Sequence, residues 1–140
     1  MRQILLFAAL AASLALLSGC ALSKAKKDKA EDMPDKAAYH KISAEEAYEM
    51  MASQEVVVVD VRTREEYDGG HIENAVLVPN ESIGSEMPDA LPDKEATLLV
   101  YCRSGRRSKD AAQKLLALGY QSVYDFGGVI DWPYELVKEG

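Results

Sequence analysis

The chain has 140 residues, 48% of them hydrophobic and 28% charged, which is the composition of a folded domain and excludes a disordered chain. That length holds one ordinary domain and little more. A formal net charge of -7 argues against nucleic acid as a partner, and two cysteines exclude a disulfide framework.

Met1-Arg2-Gln3 is a short basic start, Ile4 to Leu17 is almost wholly apolar, and Leu17-Ser18-Gly19-Cys20 closes the run. Residues 1–19 resemble a bacterial lipoprotein signal peptide, with small residues ahead of a cysteine that receives lipid after cleavage. An uncleaved anchor is the other reading, because the apolar stretch as far as Leu22 is marginally long enough to span a bilayer. Both readings tie the chain to a membrane and place it in the cell envelope, exported. Lipid on Cys20 leaves Cys102 as the only free thiol, so an intrachain disulfide and a two-cysteine redox mechanism are excluded on that reading. Residues 20–38 read as a tether of small and charged side chains, without apolar periodicity. Lys24, Lys26, Lys27 and Lys29 suit a solvated spacer better than contact with anionic headgroups.

From residue 39 to 140 short apolar runs alternate with helical segments, the pattern of an α/β domain built on a parallel sheet. Tyr39 to Ile42 is a short first strand. Ser43, followed by Glu46, is a capping box that opens a helix through about Ala52. Val56-Val57-Val58-Val59 is β-branched without polar alternation, as in a strand buried on both faces, and ends at Asp60-Val61-Arg62. Thr63 to Tyr67 is a helical turn stopped by Gly69-Gly70. Ala75 to Val78 is the third strand, ended by Pro79. Gly84, Pro88 and Pro92 leave a short or broken helix over 81–93. Thr97 to Tyr101 is the fourth strand, Ser108 to Leu118 a helix with Gly119 at its C-terminal cap, and Ser122 to Phe126 the fifth strand. A Gly127-Gly128 turn leads to a tail segment through Trp132.

The chemistry gathers where the fourth strand meets the following helix. Backbone N–H groups at a helix N-terminus are unpaired and point at whatever lies ahead of them. A loop there curls into a bowl of donors around the Cys102 sulfur, and Gly105 supplies the backbone freedom for the curl. Arg103, Arg106 and Arg107 add positive charge. Such surroundings lower a thiol from about 8.5 into the range of roughly 3.5–7.5, and they also suit an anionic substrate. Cys102 with Arg103, Ser104, Gly105, Arg106, Arg107 and Ser108 is therefore the candidate site.

Cys102-Arg103-Ser104-Gly105-Arg106-Arg107-Ser108 resembles the active-site loop of the rhodanese family of sulfurtransferases. Val57 to Arg62 with Glu65-Glu66-Tyr67, Gly70-His71-Ile72, Ala75 and Pro79 form a second match, and Gly127-Gly128 with Trp132 a third. The resemblance covers the chain from about Tyr39 to Gly140. It implies a three-layer α/β fold with a five-stranded parallel sheet, order 1-5-4-2-3, and helices on both faces. Strands two and four are then neighbours at the switch point where open α/β sheets bind ligands. It further implies that Cys102 carries a transferred sulfur as a persulfide, with no cofactor beyond that covalent intermediate. The loop amides and Arg107 would hold the charge of sulfur and donor. Asp60 would accept loop N–H bonds and Arg62 would pair with Glu66, all three as supporting scaffold. The partners it implies are a small anionic sulfur donor such as thiosulfate and a thiophilic acceptor.

Two other classes stay open. Phosphatases that form a cysteinyl phosphate, and arsenate reductases, carry their arginine one position later, where this chain has Ser108, and the tighter loop suits a sulfur atom better. A non-catalytic module that binds anions or a partner protein at the membrane is the alternative from outside enzymology. His40 and His71 are isolated and make no metal site. Gly69-Gly70 and Gly127-Gly128 lack the spacing of a nucleotide fingerprint, and Trp132 and the tyrosines suit packing better than a ligand cage.

Overall fold

The computed structural model describes residues 38–139. The leader, Cys20 and nearly all of the tether lie outside them. The elements in chain order are β1 (Tyr39–Lys41), α1 (Ala44–Ser53), β2 (Val57–Asp60), α2 (Arg64–Asp68), β3 (Val76–Leu77), β4 (Thr97–Cys102), α3 (Arg106–Ala117) and β5 (Ser122–Gly128). Single 3-10 turns cover Asn80–Ser82 and Val129–Asp131. Among the described residues the five strands of the sheet pair in parallel, in the order β1-β5-β4-β2-β3, as the sequence resemblance implies, and one isolated antiparallel bridge joins His71 to Val137.

Successive strand residues face opposite sides of a sheet, and here both sides are covered. On the α3 side Val59, Leu98, Val100, Cys102 and Val123 pack against Ala111, Ala112 and Leu115. On the other side Val58, Leu99, Tyr101 and Phe126 meet Ala47 of α1 and Tyr67 of α2. Burial on both faces explains the unbroken apolar runs of β2 and β4. Each fully buried leucine among them contributes about 1.5–3 kcal/mol relative to exposure.

The capping box of α1 forms as expected, with Ser43 Oγ accepting the Glu46 N–H and Glu46 accepting the Ser43 N–H. A second box, unforeseen, opens α2 between Thr63 and Glu66. Three boundaries differ from expectation. α3 starts at Arg106 rather than Ser108, because Gly105 at φ 102° turns the chain directly into the first helical bond, from Lys109 N–H to the Gly105 carbonyl. β4 runs on to Cys102 and β5 to Gly128, since these ends pair with each other past a register shift at Val100 and Tyr101. Beyond Ser82, the proline- and glycine-bearing stretch forms no helix before β4.

Candidate active site

Cys102 is the last residue of β4, 1% exposed, with its side chain on the α3 face. The loop that follows folds back over it, and the Gly105 N–H points at Sγ from 3.0 Å. Burial pushes the thiol up, but the Ser108 hydroxyl and the N–H groups of Ser108, Gly105 and Ser104 outweigh it and hold Cys102 below its ordinary value. Backbone dipoles and one hydroxyl, rather than the arginines, make the largest favourable contributions.

The backbone of the bowl rests directly on Gly128. A side chain at Gly128 would overlap the Arg103 carbonyl and stand 2.5 Å from Ser104 Cα, so only hydrogen fits there. Ile130 N–H closes the contact by donating to the Arg103 carbonyl at 3.2 Å.

The three arginines divide. Arg103 and Arg106 are exposed at the rim, together with Ser104. Arg107 is half-buried and forks onto one carboxylate, Nη1 donating to Glu66 Oε2 at 2.8 Å and Nη2 to Oε1 at 2.9 Å. That pairing, opposed by partial burial and helped by the Thr63 N–H, pulls the Glu66 carboxyl down to about 2. Arg107 is thus paired with a carboxylate that the resemblance had assigned to Arg62, while its charge still acts on the Cys102 sulfur.

Two expected contacts are corrected. Arg62 does not pair with Glu66. Its Nε and Nη2 donate to Asp60 at 3.0 and 2.7 Å, and Nη2 also donates to the Gly70 carbonyl at 2.8 Å. Asp60 and Arg62 stand two residues apart at the end of β2 and meet at once, while Glu66, at the third position of α2, faces the first turn of α3. Asp60 accepts no N–H from the cysteine loop. Its carboxylate shares the Val58 face, opposite to Cys102, where it takes Arg62 and the Tyr101 hydroxyl at 2.6 Å.

The acid that does reach the loop is Asp125, which the sequence reading passed over. It is 1% exposed on the α3 face of β5. Its Oδ1 accepts the Ser108 hydroxyl at 2.7 Å and the Gly127 N–H at 2.9 Å. Its Oδ2 accepts the Tyr39 hydroxyl at 2.6 Å, and Lys41 Nζ lies 3.5 Å from Oδ1. The available signal was an acidic residue between Tyr124 and Phe126 in an otherwise apolar strand. His71 stacks on Tyr67 at 3.7 Å and is a packing residue. A cavity of about 700 Å³ lies away from the loop, against Tyr48, Met51 and Trp132, and touches none of the residues around Cys102. The groups that favour the Cys102 thiolate all lie in the bowl.

Comparison with known proteins agrees with the fold. Residues 43–133 match the model of the rhodanese-like domain. A rhodanese from E. coli, solved with anions, is 34% identical, with TM-score 0.55 over 61% of this chain and 100% of its own. A human single-domain sulfurtransferase is 27% identical, with TM-score 0.59 over 66% of this chain and 93% of its own. Among curated proteins, a tRNA uridine(34) hydroxylase of Yersinia pestis is 31% identical over 72% of this chain; the chain spans only 30% of that relative's length.

Proposed function

The chain belongs to the rhodanese-like domain family, and from that premise we propose that it transfers a sulfane sulfur through a persulfide on Cys102. The observation that carries this reading is the bowl of N–H groups and the Ser108 hydroxyl that favour the thiolate in a buried cysteine. A preformed thiolate attacks without a general base. Attack on the outer sulfur of thiosulfate forms the Sγ–S bond. The bond between the two thiosulfate sulfurs breaks, and sulfite leaves with its electron pair, so the single negative charge now sits on the outer sulfur of the persulfide. A thiophilic acceptor, cyanide in an assay, then takes that sulfur and restores the thiolate.

Arg103 and Arg106 at the rim are suited to drawing in a dianionic donor through long-range attraction. With Arg107 committed to Glu66 and Ser108 in the following position, no guanidinium stands at the place from which a phosphatase or arsenate reductase would fork onto its oxyanion, which disfavours both. A tRNA substrate is not carried over from the hydroxylase relatives, given the net charge of -7 and the small share of their length that is matched.

Lipid on Cys20 would hold this activity at a membrane surface on the exported side. Two or more acyl chains give stable anchoring where one is marginal. The deciding measurement is the intact mass of the chain before and after thiosulfate. A gain of one sulfur that cyanide removes is expected, and Cys102→Ser should lose both steps while keeping its circular dichroism. An unchanged mass would leave a binding module as the better account.

A further inference from the structure

A short path of direct contacts runs from the edge strand β1 to the donor that faces the sulfur. Gly105 is its end point. The Gly105 N–H points at Cys102 Sγ from 3.0 Å, and the Gly105 carbonyl accepts the Lys109 N–H at 3.3 Å as α3 begins. Two neighbours hold this residue. Ser108 Oγ reaches back to the Gly105 carbonyl at 3.0 Å, and Gly127 lies so close beneath that a side-chain carbon on Gly105 would stand 3.5 Å from Gly127 Cα. One carboxylate oxygen serves both neighbours, for Asp125 Oδ1 accepts the Ser108 hydroxyl at 2.7 Å and the Gly127 N–H at 2.9 Å.

The other oxygen of that carboxylate is held from β1. Tyr39 donates its hydroxyl to Asp125 Oδ2 at 2.6 Å, which fixes the rotation of the carboxylate about its Cβ–Cγ bond. Burial and the adjacent carboxylate push the Tyr39 hydroxyl above its ordinary range, so it stays a donor. Lys41, also from β1, lies 3.5 Å from Oδ1 and is half exposed. His40 and Lys41 are exposed, and Tyr39 is the residue that β1 turns toward the interior.

We propose that Tyr39 and Asp125 are positioning residues for the reaction. The Tyr39 hydroxyl fixes the Asp125 carboxylate, the carboxylate fixes Ser108 and Gly127, and these two keep the Gly105 N–H aimed at the Cys102 sulfur. The inference rests on Cys102 as the sulfur-carrying nucleophile and gives the first strand a share in its reactivity. No proton moves along the path. Its effect is geometric, because a hydrogen bond weakens steeply as it bends or lengthens. The Arg107–Glu66 pair and Glu81, the charged groups on the other side of the sulfur, belong to other elements and are the same in every variant below.

The test reads the pH midpoint of Cys102 alkylation by iodoacetamide in the full chain, quantified on the Cys102 peptide by mass spectrometry. Asp125→Asn is the reference that lacks the charge. The Gly127 N–H and Lys41 keep its amide oxygen toward Ser108, and its Nδ2 turns to Tyr39, whose oxygen can accept. Asp125→Ala removes the same charge and the footing as well. Its midpoint should lie about one pH unit above that of Asp125→Asn, the scale of one hydrogen bond to a charged group. Indistinguishable midpoints, or a lower one in Asp125→Ala, would overturn the proposal. A residue that only stabilised the fold would lower the resistance to denaturant and leave no difference between these midpoints. Should Asp125→Ala not fold, Tyr39→Phe in the Asp125→Asn background decides, with no carboxylate charge in play. It frees the amide to turn, so the midpoint should rise by a few tenths of a unit over Asp125→Asn alone. No rise there overturns the proposal equally. None of these readouts needs turnover. The expected midpoints in a chain that makes no thiocyanate would remove the sulfurtransferase reading and leave the positioning role standing, and thiocyanate formation with indistinguishable midpoints would do the reverse.

Discussion

Asp60 and Asp125 are the same residue type, both buried, one at the C-terminal end of β2 and the other in the middle of β5, the two strands that flank β4. They behave differently. Asp60 is saturated by a buried guanidinium and by Tyr101, on the sheet face away from Cys102. Asp125 is held by hydroxyls, one backbone N–H and an exposed lysine at 3.5 Å, on the face that carries the reactive loop. A buried carboxylate matched by a guanidinium makes a fixed strut. One matched mostly by neutral donors beneath the loop ties that loop to the sheet through Ser108 and Gly127. The pleat, which decides the face, separates the two roles.

The comparison predicts that the two acids fail in different currencies, stability for one and reactivity for the other. Asp60→Ala leaves Arg62 buried without its counter-ion, and should cost about 3–5 kcal/mol in denaturant unfolding. The alkylation midpoint of Cys102 should hardly move. A large change in that midpoint with stability intact would reverse the assignment of roles. Gly128→Ala probes the cradle on the Asp125 side. Because the added carbon collides with loop backbone, thiocyanate formation should drop by roughly a hundredfold or more, as for a lost preorganised donor set, and stability should also fall.

The Arg107–Glu66 pair is intermediate between the two, partly exposed and beside the loop. Glu66 is depressed in the folded state to about 2, from 4.5. Its contribution to stability is therefore fully present above about pH 4.5 and is lost as the pH falls toward 2. Glu66→Gln should flatten that part of the acid unfolding curve. It also separates two functions for Arg107. If the guanidinium only braces the loop, Glu66→Gln and Arg107→Leu should both impair sulfur transfer. Higher activity in Glu66→Gln would show instead that a freed Arg107 engages the donor. The smallest effects belong to the rim: Arg103→Gln and Arg106→Gln should each raise KM for thiosulfate about two- to fivefold at low salt, leave kcat alone, and lose the difference in raised salt.

Much of this molecule is legible in the chain. The valine run of β2, the Ser43–Glu46 box and Gly119, at φ 97° where α3 ends, mark their elements from local chemistry alone. Cys102 with a glycine and arginines behind it marks the site, because a strand running into a helix start is a local event. The partners of that site were misassigned. Asp60, Arg62 and Glu66 were each placed in its support, yet only Glu66 reaches the loop, and it does so through Arg107.

What the sequence determined by itself is therefore most of the elements, the place of Cys102 at a strand-to-helix junction and the backbone bowl around it, each of which arises from residues close together in the chain. Tertiary structure alone decided which charges meet. Glu66 finds Arg107 across 41 positions and Ser108 finds Asp125 across 17. Such meetings depend on strand order and on which face each strand end presents. A shift of one residue in either strand moves an acid to the far side of the sheet, and no local period records that choice.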